Sequence, residues 1–331
     1  MKKLIFGIDG GGTKSHMAVF DQCGQCVTIG KRGSLNHENM KDSFTQLEKE
    51  LSAFIKDTLA GIGAAPTDVA YAVMGIAGVD TLKQHATISA MVDRVGLPHY
   101  ILCNDALLGV PAGCADGVGI CAINGTGSSL AAIDHRNVTV QMGGIGYISN
   151  EAGGSGWFGT KLLGAVYGEL FKCEPKTIMT AMIFERLGIS DVKDYIEKIT
   201  SCIEDGSVKL NELNLMLFKA VALNDPVALD ALRESAEHYA GGIAHLAKTM
   251  DFPADQTLSV TLAGSGFVKE KTRTLPDLVA DGVTKRLPGR TVEYHKLQTA
   301  PVAGAVHWAS KEAGCKMEIE AIAKSLAEAG L

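Results

Sequence analysis

The sequence predicts an α/β fold of two domains built on one plan, and three observations predict it. Apolar runs of strand length alternate with amphipathic helical stretches, the pattern of a sheet with helical cover. A strand–glycine/threonine turn–strand unit at residues 5–8, 9–13 and 15–20 recurs at 118–123, 124–128 and 129–133. A chain of 331 residues is also long for one core. Two unrelated hairpins would give similar turns. Both turns here carry Thr and lie between buried strands, which favours duplication.

The first strand, Leu4-Ile5-Phe6, runs into Gly7-Ile8-Asp9-Gly10-Gly11-Gly12-Thr13-Lys14-Ser15, and Met17-Ala18-Val19-Phe20 follows as a second strand. Glycines without Cβ let backbone N–H groups converge on an anion, and a carboxylate at a strand end can hold a metal ion. Thr13 and Lys14 extend that grip on phosphate. The run is not a Walker loop: Gly12-Thr13-Lys14-Ser15 is one residue out of step, and a strand follows instead of a helix. A literal G-x-G-x-x-G at residues 154–159 lacks a buried strand before it and a parallel strand after it. It is set aside as a dinucleotide fingerprint.

Residues 21–25 read as a hairpin turn to a strand at 27–30, which accounts for Cys23-Gly24-Gln25-Cys26 without a metal or redox role. A loop holds Asn36 and His37. Helical spacing covers 38–59 through Phe44, Leu47, Leu51, Phe54 and Ile55. A buried strand at 69–74 ends in Gly75-Ile76-Ala77-Gly78, and a helix spans 81–95. A strand at 100–103 runs into Asn104-Asp105 and a short helix ending near Gly113. Gly113-Cys114-Ala115-Asp116-Gly117 marks the boundary between the domains. Past the second glycine turn, 157–250 is almost wholly helical in pattern, including 177–187, 211–223 and 227–248. Trp157, at a helix start, reads as core. A strand at 257–262 meets Ala263-Gly264-Ser265-Gly266, and Pro301 opens a small-residue helix. A last helix at 317–329 carries the stripe Ile319, Ile322, Ala323 and Leu326, which needs a surface to cover.

The net charge of −6 and the lack of a dense basic cluster argue against nucleic acid as the partner. The apolar run after Met1-Lys2-Lys3 stops at Gly7, too short for a secretory core. No apolar stretch approaches the ~20 residues of a membrane span. A cytoplasmic protein is expected. The eight cysteines and nine histidines fall in no metal-ligand spacing.

Phosphoryl transfer needs phosphate cradles, a metal carboxylate and a base near the attacking hydroxyl. Gly10, Gly11, Gly12 and Thr13 form one candidate cradle, and Gly125, Thr126, Gly127 and Ser128 the other. Asp9 is the candidate magnesium carboxylate, acting through water because Mg²⁺ keeps much of its hydration. Asp105, at the end of a central strand, is the candidate base. An Asp there is also a good helix N-cap, so position alone leaves both roles open.

With these motifs in this order, the chain resembles the BadF/BadG/BcrA/BcrD-type ATPases, and within them the N-acetylglucosamine kinases, of the actin-like ATPase superfamily. The resemblance runs through Gly7 to Lys14, Asn36, Asn104-Asp105, Gly125 to Ser128, Glu151 to Gly159, Ala263 to Gly266 and Pro301 to Ala305. It implies two actin-like (ribonuclease H-like) domains with a cleft between them and a helical insertion in the second. The divisions would be 1–114, 115–315 and a helix at 316–331 returning to the first domain. The implied activity is ATP- and Mg²⁺-dependent phosphorylation of an amino sugar, N-acetylglucosamine first, at its 6-hydroxyl. Asp105 then falls on the catalytic base. Asn36, Asn104, Asp105, Thr126 and Gly127 fall on sugar contacts. Lys14 joins the phosphate set, and Gly264, Ser265 and Gly266 fall around the adenosine. A homodimer is also expected.

One departure concerns the sugar. The family commonly reads Gly-Asp-Glu-Gly-Ser before the Trp, whereas this chain reads Asn150-Glu151-Ala152-Gly153-Gly154. Glu151 stands in place of a sugar-contacting Asp and is one methylene longer, which leaves glucosamine and N-acetylmuramic acid open as acceptors. Two rivals are an acyl-CoA dehydratase or reductase activator ATPase and a non-catalytic sugar sensor. The first needs iron–sulfur cysteine spacing, which is not evident. The second has no use for a base at Asp105.

Overall fold

The computed structural model describes residues 3–269 and 272–331. Two five-stranded mixed sheets share one topology. The first holds β1 (Leu4–Gly10), β2 (Ser15–Asp21), β3 (Cys26–Arg32), β4 (Val69–Ile76) and β5 (Tyr100–Cys103), in the order β3-β2-β1-β4-β5. The second holds β6 (Gly119–Asn124), β7 (Ser128–Ile133), β8 (Thr139–Gly143), β9 (Leu258–Ala263) and β10 (Val292–Lys296), in the order β10-β9-β6-β7-β8. Position by position, the sense of pairing agrees. β1–β2 and β6–β7 are antiparallel, as are β2–β3 and β7–β8. β1–β4, β4–β5, β6–β9 and β9–β10 are parallel. The repeated turn in the sequence is thus the visible trace of a repeated five-stranded unit.

The helices show where the halves diverge. In the first, α1 (Ser43–Ala60) fills the crossover from β3 to β4, and α2 (Leu82–Asp93) the crossover to β5. Thr81 and Gln84 cap α2 reciprocally, at 3.2 and 2.8 Å, which fixes its start one residue inside the expected range. After β5 the chain turns through a 3₁₀ segment at Asp105–Leu108 into α3 (Gly109–Gly113). In the second half, the β8-to-β9 crossover expands into α4 (Ser155–Phe171), α5 (Ile178–Leu187), α6 (Tyr195–Glu204), α7 (Leu210–Ala222) and α8 (Pro226–Thr249), the expected helical insertion. α9 (Ser265–Val268) and α10 (Thr274–Arg286) precede β10, and α11 (Pro301–Glu312) and α12 (Ile319–Glu328) end the chain.

α11 lies within the stretch expected to form the second domain, yet it packs on the first sheet. A Cβ on Gly7 of β1 would stand 2.6 Å from the Ala305 Cβ. On its other side α11 meets α3 so closely that a Cβ on Gly304 would sit 2.3 Å from the Leu108 carbonyl oxygen. α3 in turn reaches the second sheet through Gly109 and Cys121. Each half therefore sends one helix across, and buried apolar residues from both sheets, such as Ile5 and Ala131, share one cluster with these helices. α12 returns to the first sheet: Ser325 Oγ accepts from Cys26 N of β3 at 3.0 Å, and Ile322 and Leu326 are buried in the same cluster.

No helix among the described residues is long and apolar enough to cross a membrane.

Candidate active site

A cleft of about 420 Å³ opens between the two sheets. Its walls come from the ends of equivalent strands. Asp9 lies at the end of β1, and Gly78 and Asp80 follow β4. Asn104 and Asp105 follow β5, while Gly125, Thr126, Gly127 and Ser128 make the β6–β7 turn. Gln141 lies on β8, and Gly264 follows β9. Strand ends at a cleft between α/β units are where ligands bind, because the helices leave a crevice there.

The first glycine turn is stitched to the loop that carries Asn36. Gly11 N donates to Lys14 O at 3.2 Å, Leu35 N to Gly11 O at 3.1 Å and Asn39 Nδ2 to Gly12 O at 3.0 Å. Asn36 caps a 3₁₀ turn at His37–Asn39. Its Oδ1 accepts from Glu38 N at 2.9 Å, and its amide nitrogen makes no hydrogen bond among the described residues. Asn104 is buried and fully engaged, with Oδ1 accepting from Ala106 N and Nδ2 donating to Asp80 Oδ1, both at 2.9 Å.

The second turn rests on Asn124. Its buried Oδ1 accepts from Gly154 N at 2.8 Å, and Ser155 N at the start of α4 donates to Gly125 O at 2.9 Å. Gly264 crowds the same residue. At φ +85° it occupies the left-handed region, and a Cβ there would lie 2.4 Å from Asn124 O. The G-x-G-x-x-G at 154–159 is thus a close-packed helix entry behind the β6–β7 turn, with no parallel strand after it.

Of the residues singled out from sequence, the cleft brings together Asp9, Asn36, Asn104, Asp105, Gly125, Thr126, Gly127, Ser128 and Gly264. Gly10, Gly11, Gly12, Thr13 and Lys14 do not line it. They form the turn beyond Asp9, where Thr13 and Lys14 are exposed. Ser265 and Gly266 open α9 behind Gly264. Glu151 does not line the cleft either. Its buried Oε1 accepts from Ile145 N and Gly146 N at 3.0 Å each and from Ser149 Oγ, so it pins the loop after β8. The longer side chain gives it the reach to fold back on that loop. The sequence reading missed Asp80 and Gln141. Asp80 follows the noted Gly75-Ile76-Ala77-Gly78 turn and could have been found as an acid at a strand end. Gln141 sits in a strand that was not foreseen.

Two carboxylates are held unusually protonated. Loss of water raises Asp105 from 3.8 to about 7, with Asp9 and then Asp80 adding repulsion. Asp9 rises to about 6, also by desolvation, with Lys14 opposing. No hydrogen bond reaches the Asp9 carboxylate among the described residues. An unpaired, desolvated carboxylate beside a second acid suits a hydrated divalent cation, which would stabilise its ionised form. No group of three His, Cys, Asp or Glu side chains among the described residues could hold a metal directly. Binding through water at one carboxylate requires none.

A base must be ionised to accept a proton. With Asp105 as that base, phosphoryl transfer is expected to rise with pH along a limb displaced above the ordinary carboxylate value by the desolvation of Asp105. Steady-state kcat/KM between pH 4.5 and 9 checks this, and a limb at the ordinary carboxylate value would contradict it.

The architecture defines a fold first, and solved sugar kinases share it. A Chromobacterium violaceum protein provisionally assigned as an N-acetylglucosamine kinase superposes with a TM-score of 0.63 at 19% identity, covering 92% of this chain and 98% of its own. A ROK family glucokinase from Streptomyces griseus does so at 0.52 and 20%, covering 93% and 99%. The chain belongs to the BadF/BadG/BcrA/BcrD ATPase family, whose model matches residues 6–309. The N-acetyl-D-glucosamine kinase of Dictyostelium discoideum is 21% identical over 299 residues, 88% of this chain and 93% of its own length. The N-acetylmuramic acid/N-acetylglucosamine kinase of Clostridium acetobutylicum is 24% identical over 266 residues, 79% and 85% respectively.

Proposed function

We propose that this protein is an ATP-dependent kinase of an amino sugar, with N-acetylglucosamine the first acceptor and the 6-hydroxyl the site of transfer. The observation that carries the reading is Asp105. It is a desolvated carboxylate in an interlobe cleft, with Asp9 at the end of β1 on one side and the β6–β7 glycine turn of the second repeat on the other. Family membership and the names of the two relatives support the same reading.

In this account Asp105 orients the acceptor hydroxyl and takes its proton as the oxygen attacks the γ-phosphorus. Asn36 offers its free amide to a sugar hydroxyl, and Thr126 and Gly127 hold the sugar from the other lobe. Backbone N–H groups of the 10–14 and 125–128 turns cradle the phosphates, with Lys14 at the outer edge. Gly264, Ser265 and Gly266 leave room for the adenosine, beside Leu297 and Pro301. Asp9 would hold Mg²⁺, which would offset charge developing on the phosphate oxygens. Asn104 acts as a positioning residue, since both its polar atoms are engaged. The lobes 1–114 and 115–315 close on both ligands, with α11 and α12 on the first sheet, and exclude water. Homodimerisation and a cytoplasmic setting belong to the same proposal, and light scattering tests the first.

A coupled ADP-release assay across hexoses and amino sugars tests the activity. Release should depend on both an amino sugar and Mg²⁺. Turnover that no sugar stimulates would end the kinase reading.

A further inference from the structure

The cleft carries an acid that neither cradles phosphate nor acts as base. Asp80 is exposed into it just after β4. One oxygen is fixed from both lobes: Oδ1 accepts from Asn104 Nδ2 at 2.9 Å and from Gln141 Nε2, on β8 across the cleft, at 3.0 Å. Its other oxygen makes no hydrogen bond among the described residues. Gly78, two residues earlier, packs on Asn36, where a Cβ would stand 2.7 Å from Oδ1. That contact places Asp80 on the acceptor side with Asn36 and Glu38. Of the charged residues lining the cleft, all four are acids (Asp9, Glu38, Asp80, Asp105), and no Lys, Arg or His joins them among the described residues. Lys14 lies in the turn beyond Asp9, outside the cleft lining. No cationic side chain lines the cleft beside Asp80 among the described residues; the nearby His37 is buried against Gly78 rather than in the lining.

We propose that Asp80 reads the acceptor sugar: its free oxygen accepts from a hydroxyl or N–H, and its charge selects neutral or cationic amino sugars against one bearing a carboxylate. This rests on the kinase reading above. Like charges brought together across a binding site are strongly disfavoured, whereas a cation there is favoured.

The test compares kcat/KM for N-acetylglucosamine (neutral), glucosamine (cationic when protonated) and N-acetylmuramic acid (carboxylated), with calorimetric sugar binding measured without ATP. The native protein should use the carboxylated sugar at least about 100-fold less well than the neutral one. In Asp80→Asn that ratio should shrink at least tenfold, mainly through KM, and glucosamine should lose ground to N-acetylglucosamine. Asp80→Glu, which keeps the charge, should keep both preferences. Use of the carboxylated sugar within threefold of the neutral one would overturn the inference. So would an unchanged ratio in a folded Asp80→Asn variant, or loss of the preference in Asp80→Glu. A steric role alone would not move the cationic and anionic sugars in opposite directions. If sugars bind with the expected ranking but are not phosphorylated, the kinase reading fails while the binding inference stands. If no sugar binds, both fail.

Discussion

Asp105→Asn is expected to lower turnover by about 10²–10⁴-fold, the usual worth of a general base, while leaving sugar affinity within a few-fold. The amide keeps the shape and accepts a hydrogen bond but cannot take the proton. Single-turnover kinetics with calorimetric sugar binding separates the two effects. Near-normal turnover would remove Asp105 from the chemistry. The same variant has a stability signature. Folding lifts Asp105 from 3.8 to about 7, so the folded protein holds a proton that the unfolded chain has released. The parent therefore loses stability as pH rises from about 3.8 to about 7, and the loss levels off above. Asn has nothing to ionise. The variant's Tm should gain on the parent's across that window and stay ahead beyond it. A gain that shrinks between pH 5 and 8 would contradict the raised pKa.

Gly264→Ala should disable the nucleotide side and destabilise the fold. An alanine there meets a left-handed backbone and a carbonyl oxygen 2.4 Å from its Cβ. Strain of this kind costs about 1–3 kcal/mol, and forcing backbone apart a similar amount. Because Gly264 leans on Asn124, any shift is passed to the β6–β7 turn. KM for ATP is expected to rise more than tenfold and Tm to fall by several degrees. The sugar KM should change little. Thermal unfolding and ATP titration check both, and a variant with normal Tm and ATP affinity would show that the close approach is unimportant.

The fold was legible where period and punctuation agree. The first glycine run and its echo predicted the duplicated sheets, and Asn104-Asp105 after a four-residue strand marked the cleft. β8 and β10 were not foreseen. Both are edge strands in which half-exposed and charged residues replace a continuous apolar run, as in Val-Glu-Tyr-His-Lys of β10. α10 was hidden by Pro276 and by Gly282, the latter tucked against Ala240 of α8. α11 reads as a small-residue helix, but that it crosses to the first sheet is a tertiary fact with no local signal. The site divides the same way. Asp9, Asn36, Asp105 and the 125–128 turn could be named because each sits at a strand end or glycine turn. Glu151 sits beside such a turn too, yet it lies outside the cleft lining and one of its carboxylate oxygens accepts from loop amides, an arrangement set by loop geometry. Asp80 is fixed in the cleft by Gln141, 61 residues away and on the other sheet.

The most direct test of the account is ³¹P NMR of the protein incubated with N-acetylglucosamine, ATP and Mg²⁺. A phosphomonoester coupled to the C6 protons should appear in equal amount to ADP, and it should form at least about 100-fold more slowly with Asp105→Asn. ADP and inorganic phosphate at the same rate with and without sugar would contradict it.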